Sequence, residues 1–152
     1  MQVRRLDSED FELAFAAIEA VKQPNTQPTF NPAYLKKLLA RPENVLIVAE
    51  QDGVPVGFLL AYLLDRVDRD QKMVCLYEID VAESYRQRGI GRAMIETLKS
   101  LCKHENAMEA WVITDRSNLA AVRLYQSTGA ATADPIGDEV VYVYGPENWS
   151  IP

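Results

Sequence analysis

"LYEIDVAESYRQRGIGRAMIETL", residues 76–98, decides how this chain is read. It begins as an apolar strand, takes on two carboxylates at Glu78 and Asp80, and runs into a turn holding Arg86, Arg88 and Arg92 with Gly89 and Gly91. That turn opens a helix. The first turn of a helix has backbone N–H groups without intrahelical partners and carries the positive end of the helix dipole. Glycines let backbone approach a ligand closely, and arginines fork onto phosphate oxygens. A diphosphate is the guest such a turn suits; a plain basic helix start with glycine for packing is the other reading. The anion-binding candidates are Arg86, Gln87, Arg88, Gly89, Ile90, Gly91 and Arg92. No Gly-Lys-Ser/Thr follows, so this is not a Walker loop, and the third glycine of the dinucleotide fingerprint is missing.

The two acids stand two residues apart, so an unbulged strand puts both on one face. Upstream on that face the same alternation places Val74 and Leu76. A change from apolar to acidic along one face is the pattern of a strand leaving the core to line a cleft.

Working outward, "MQVRRL" reads as an opening strand. "SEDFELAFAAIEAV" reads as a helix with Ser8 as its N-cap and Phe11, Phe15, Ile18 and Val21 on one stripe. "KQPNTQPTFNP" is proline-broken loop, and "PAYLKKLLAR" a short helix. "NVLIVAE" and "VPVGFLLAYLL" flank "QDG", a hairpin signal. "MVCLYEIDV" is apolar on both faces through Leu76, as a strand covered on both sides would be. After it come a helix striped by Ile90, Met94, Leu98 and Leu101, the strand "EAWVIT", the helix "NLAAVRLYQSTG" closed by Gly129, and the strand "VVYVYG". With no repeat, low-complexity tract or linker, residues 1–152 are expected to form a single mixed α/β domain.

Composition narrows the function. The chain has 152 residues, 48% apolar and 25% charged, with a formal net charge of −6. No extended basic stripe is present, which argues against nucleic acid as a partner. No run of eighteen apolar residues offers a membrane span, and the N-terminus lacks the design of a signal peptide. Cys75 and Cys102 have no metal-like spacing, so no metal site is expected, and they read as reduced thiols of a cytoplasmic protein. Beyond Arg123 no Lys or Arg remains, while Asp134, Asp138, Glu139 and Glu147 do. A basic island beside an acidic tail fits two ligands of opposite charge, and fits a solubilising surface equally.

"VAESYRQRGIGRAMIETL" resembles the acetyl-CoA motif of the GNAT superfamily of N-acetyltransferases, Arg/Gln-x-x-Gly-x-Gly/Ala, on Arg86, Gly89 and Gly91. "NLAAVRLYQSTGA" is similar to that superfamily's Asn-x-x-Ala-x-x-Leu-Tyr-x-x-x-Gly helix, on Asn118, Ala121, Leu124, Tyr125 and Gly129. The resemblance implies a GNAT fold: a mixed sheet of about six to seven strands with a splayed central pair, flanked by about four helices. It implies acetyl-CoA as cofactor, its diphosphate on residues 86 to 91, its pantetheine arm along Ile79, Asp80 and Val81, and contacts from Asn118 and Ala121. A helix cap is an equal reading for Asn118. A backbone amide near Ile79 to Val81 would polarise the thioester carbonyl.

Transfer to an amine requires a proton acceptor, because aliphatic amines are protonated at neutral pH. Glu78 is the expected base, and Asp80 assists it or binds the acceptor's charge; two solvated or salt-bridged acids at a strand end are the other reading. Tyr125 matches the superfamily's tyrosine that hands a proton to the departing thiolate; a phenol has a pKa of about 10, somewhat above a thiol, and a buried core tyrosine is the other reading. His104 reads as a cation near a helix C-terminus. Within the superfamily the chain is similar to the aminoglycoside 3-N-acetyltransferases, through Tyr77-Glu78, Asp115 and Asp138-Glu139. Glu78 replaces that family's Asp, and "WVITD" and "VVYVY" depart from its sequences. The resemblance implies a cationic small-molecule amine held by Glu78, Asp80, Asp115, Asp138 and Glu139, with "KQPNTQPTF" in the acceptor wall. The other readings are a peptide, protein or polyamine acetyltransferase and a non-catalytic acyl-CoA sensor. The apolar "VVYVY" suits pairing into a homodimer.

Overall fold

The computed structural model describes residues 1–22, 31–133 and 137–149. Its strands are β1 Gln2–Arg5, β2 Asn44–Gln51, β3 Val54–Asp65, β4 Lys72–Val81, β5 Ala107–Asp115, β6 Ala131–Thr132 and β7 Glu139–Tyr144. The helices are α1 Phe11–Val21, α2 Pro32–Leu39, α3 Ile90–His104 and α4 Leu119–Ser127. All seven strands join one sheet in the order β1-β2-β3-β4-β5-β7-β6. Its pairs are antiparallel except β4 with β5, which run parallel. The two-residue β6, too short to show alternation, was not expected from the sequence.

Local chemistry explains most boundaries. Asp52 and Gly53 both have positive φ, 53° and 79°, as the tight turn between β2 and β3 requires. Asn31 accepts a hydrogen bond from the Ala33 amide and Pro32 opens α2. The Asn118 side chain accepts from the Ala121 amide at the start of α4, and Gly129 at φ 94° ends that segment. The expectation of Ser8 as N-cap of α1 is corrected. The cap position is Asp10, which makes no side-chain bond to the helix. Its carboxylate instead accepts from the Arg4 guanidinium at 2.7 and 2.8 Å and from the Asp7 amide at 3.0 Å, tying β1 to the start of α1.

The sheet buries an apolar layer on each side. One layer packs Val45, Ile47, Leu59, Val74, Leu76 and Val112 with Ile90, Met94, Ile95 and Leu98 of α3 and Tyr125 of α4. The other packs Leu46, Val48, Phe58 and Leu60 with Ala14 and Ala17 of α1 and Leu35 and Leu39 of α2. The stripes expected on α1 and α3 both face this core, Leu101 only partly buried.

Two irregularities shape β4. First, Ala61 stands opposite Leu76 but Leu60 stands opposite Glu78, so Tyr77 is an extra residue and β4 is bulged there. This corrects the expectation that Val74 and Leu76 share a face with the two acids. Val74 and Leu76 lie in the α3 layer, joined past the bulge by Ile79 and Val81. Glu78 and Asp80 pair with Leu60 and Phe58, whose side chains belong to the α1–α2 layer. Second, β4 pairs with β5 only from Lys72 to Cys75. From Leu76 onward the central strands part.

Gly57 of β3, opposite Val81, permits close approach of these strands. A β-carbon there would stand 2.7 Å from the Asp80 carbonyl oxygen, a backbone atom with little freedom to move. Gly57→Ala is expected to destabilise the fold by about 1–3 kcal/mol, read as a lower urea midpoint with an unchanged slope. The Arg4 hydrogen bonds hold the Asp10 carboxyl down from 3.8 to about 2. Its contribution to stability is therefore full above the ordinary carboxylate range and disappears as pH falls through about 2. Wild-type melting temperature should drop over that interval more steeply than that of Asp10→Asn.

Candidate active site

Where β4 and β5 part, the wedge between them continues into a cleft of about 1040 Å³. Its β4 wall holds Glu78, Ile79, Asp80 and Val81; the turn and α3 supply Arg86, Gln87, Gly89, Ile90, Gly91 and Arg92; α4 supplies Ala121 and Tyr125, with Asn118 before it. These positions, expected from the sequence to share a site, are brought together. Arg88 is not in the lining; its guanidinium lies 5.3 Å from the centre of the Tyr85 ring. Asp115, Asp138 and Glu139 are not in the lining either. Asp115 and Glu139 stand opposite each other where β5 and β7 meet, and Arg116 donates its amide to the Asp138 carbonyl.

The turn before α3 is shaped by backbone. Gln87 has φ 60° and Gly89 φ 80°, conformations that fold successive amides around a concavity. A β-carbon at Gly89 would meet nothing, so its glycine serves the positive φ. Gly91 has another role: a β-carbon there would lie 3.2 Å from the Leu124 side chain, so the missing side chain lets α4 dock on α3.

The arginines do more structural work than the sequence suggests. Arg86 donates Nε to the Val81 carbonyl at 2.9 Å and Nη2 to Asp80 at 3.2 Å. Asp80 also accepts from the Val81 amide at 2.7 Å. These contacts clasp the turn to the end of β4. Arg92 donates to the Ser127 carbonyl at the end of α4, at 2.9 Å. Arg123 of α4, in the cleft lining and exposed, makes no ion pair among the described residues. It was not selected from the sequence, where the motif positions in this segment are Asn118, Ala121, Leu124, Tyr125 and Gly129.

Two titrating groups face the cleft with shifted affinities for protons. Partial burial, then the negative charge of Asp80, raises the pKa of Glu78, which stands at the exposed mouth. Burial pushes the Tyr125 phenol up to about 12. Tyr125 packs against Tyr142 at 5.4 Å between ring centres, and its hydroxyl has no side-chain partner among the described residues. The Asp115 carboxyl is lowered by hydrogen bonding to Ser117, and its Oδ1 accepts the Ser117 amide at 2.7 Å. Residues beyond Lys22 in the expected acceptor-wall loop, 23–30, lie outside the described residues. No group of three metal-ligating side chains occurs among the described residues, and none of their helices is long and apolar enough to cross a membrane.

The cleft suits a long thioester cofactor. The amide concavity fits a diphosphate, and the edge of β4 left unpaired after Cys75 offers backbone donors and acceptors to an amide-bearing arm.

Comparison with known proteins identifies the family and the fold. Residues 3–130 match the model of the acetyltransferase (GNAT) family. An uncharacterized N-acetyltransferase of Archaeoglobus fulgidus is 27% identical over 139 residues, covering 84% of this chain and 90% of the relative. The Escherichia coli [ribosomal protein bS18]-alanine N-acetyltransferase is 32% identical over 73 residues, 48% of each chain. N-acetyltransferase family 8 member 3 of Rattus norvegicus is 32% identical over 82 residues, and the chain spans only 36% of that relative's length. Among solved structures, an aminoglycoside acetyltransferase, meta-AAC0020, from a soil metagenome superposes with a TM-score of 0.81 at 21% identity, covering 90% of this chain and 91% of the other. The Thermoplasma acidophilum PaiA N-acetyltransferase in complex with coenzyme A superposes with a TM-score of 0.72 at 15% identity, covering 95% and 98%. The chain belongs to the acetyltransferase (GNAT) family, with the fold of that family, and is an acyltransferase that uses acetyl-CoA.

Proposed function

We propose that the chain moves an acetyl group onto a primary amine of a cationic small molecule. The observation that carries this is the position of Glu78: a carboxylate with a raised pKa on the open side of the parted strands, in the same cleft as the amide concavity and Tyr125. Acetyl-CoA supplies an acyl group already activated as a thioester. Glu78 accepts the proton that the amine must lose, directly or through water, and its raised pKa makes it a better base near neutral pH than an ordinary carboxylate. Tyr125 keeps its proton across the working range. With a pKa of about 12 it serves as a hydrogen-bond donor to developing sulfur charge rather than as a strong acid. Asp80, bound to Arg86, positions the turn, and its charge also favours a cationic acceptor.

An aminoglycoside is the first acceptor to test, and its 3-amine the first position. Support comes from the fold neighbours named for aminoglycoside acetylation, one of them in complex with sisomicin, and from the acids Glu78 and Asp80 in the cleft wall. A peptide amine is the second reading, favoured by the similarity to the bS18-alanine enzyme.

Release of free thiol from acetyl-CoA with aminoglycosides, polyamines and peptides tests the reading; turnover with peptides alone would reverse the order of the two acceptors. Glu78→Gln should lower kcat by about 10²–10⁴ while calorimetry shows coenzyme A still binding. In wild type, kcat should fall as pH drops through the raised pKa of Glu78. Asp80→Asn removes one of the two causes of that rise, so the acid limb should move to lower pH without reaching the ordinary glutamate value. An unmoved acid limb in both variants would remove Glu78 from the role of base.

A further inference from the structure

Eight large apolar side chains stand exposed among the described residues, and two of them, Tyr77 at 67% and Ile113 at 49%, line the cleft beside Glu78. Exposed apolar groups scattered singly need no explanation, whereas a pair converging on a candidate base does. The bulge in β4 puts Tyr77 there. It sits in edge-to-face contact with Tyr62, ring centres 5.6 Å apart, on the face that carries Glu78 and Asp80. Tyr62, pushed up chiefly by burial, also feels Tyr77, Cys75 and Glu78, which places these groups around one spot. Ile113 lies on β5, beyond the last residue of that strand paired with β4, so Tyr77 and Ile113 line the cleft from its two parted strands.

We infer that the acceptor's reactive amine is borne on a ring, one apolar face of which rests on Tyr77 and Ile113 while the ammonium points to Glu78. This rests on the acetyl-transfer reading above and specifies its acceptor. Tyr77 and Ile113 stand on the two strands that part beyond Cys75 and Trp111, so a ring can rest its face on both. A linear polyamine or a lysine side chain offers them a narrower apolar surface. Glu78 and Asp80 attract the charge, and the apolar pair selects the frame that brings it.

The test measures thiol release from acetyl-CoA by the full chain with kanamycin, cyclohexylamine, spermidine and an alanine-initiated peptide. The ring-borne amines should show KM at least about tenfold below the two linear acceptors. Tyr77→Ala and Ile113→Ala should each raise KM for the ring-borne amines by about tenfold, with a smaller change in kcat and little change in KM for spermidine. Calorimetric binding of coenzyme A reports that each variant is folded and that its cofactor site is intact. Equal use of ring and linear amines, or an unchanged KM in both variants, overturns the inference while leaving acetyl transfer standing. Coenzyme A binding without thiol release from any amine overturns the inference together with the acceptor reading.

Discussion

The site depends on one constraint, that β4 and β5 stay hydrogen-bonded only as far as Cys75. A parallel pair continued to the strand ends would satisfy backbone groups with one another and leave no cleft. Parting leaves those groups to be satisfied by solvent or ligand. The extra residue at Tyr77 lies at the same level, where a bulge adds local twist and ends regular alternation. Upstream of this point β4 is core, with Val74, Cys75 and Leu76 buried; downstream it is a wall.

The bulge also explains why the chemistry falls on the face that it does. With strict alternation, Glu78 and Asp80 would point into the layer held by Val74 and Leu76, beneath α3, where two carboxylates would face apolar neighbours at high cost. One inserted residue turns them to the α1–α2 side and leaves Ile79 and Val81 to continue the apolar layer. The positions of the acids were legible in the sequence; the face was not, since a bulge changes the parity of side chains without a fixed residue signal. Here the cue was the pattern itself: apolar Val74 and Leu76 followed by apolar Ile79 and Val81 is a shift of phase. The turn before α3 was legible as backbone, because Gly89 and the helix after it leave few conformations open. Its arginines were read less well. Guanidinium groups that looked free for phosphate are held by Asp80, the Val81 carbonyl and the Ser127 carbonyl, long-range partners that spacing does not reveal.

Those arginine contacts join the two ends of the site. Asp80 and Arg86 fix the turn to β4, while Arg92 and the close contact of Leu124 with Gly91 fix α4 to α3. Tyr125, next to Leu124 in the chain, is thereby located relative to the amides of the turn by packing on one side and to Glu78 by the sheet on the other. The donor, base and anion site proposed for Tyr125, Glu78 and the turn stand on three different elements and would require such cross-links, because reacting groups misplaced by about 1 Å lose much of their effect. The residues on which the chemistry rests are thus surrounded by residues whose work is positional. The apparent surplus of charge in the turn is largely structural, and the charges left to meet ligands are fewer than the sequence displays.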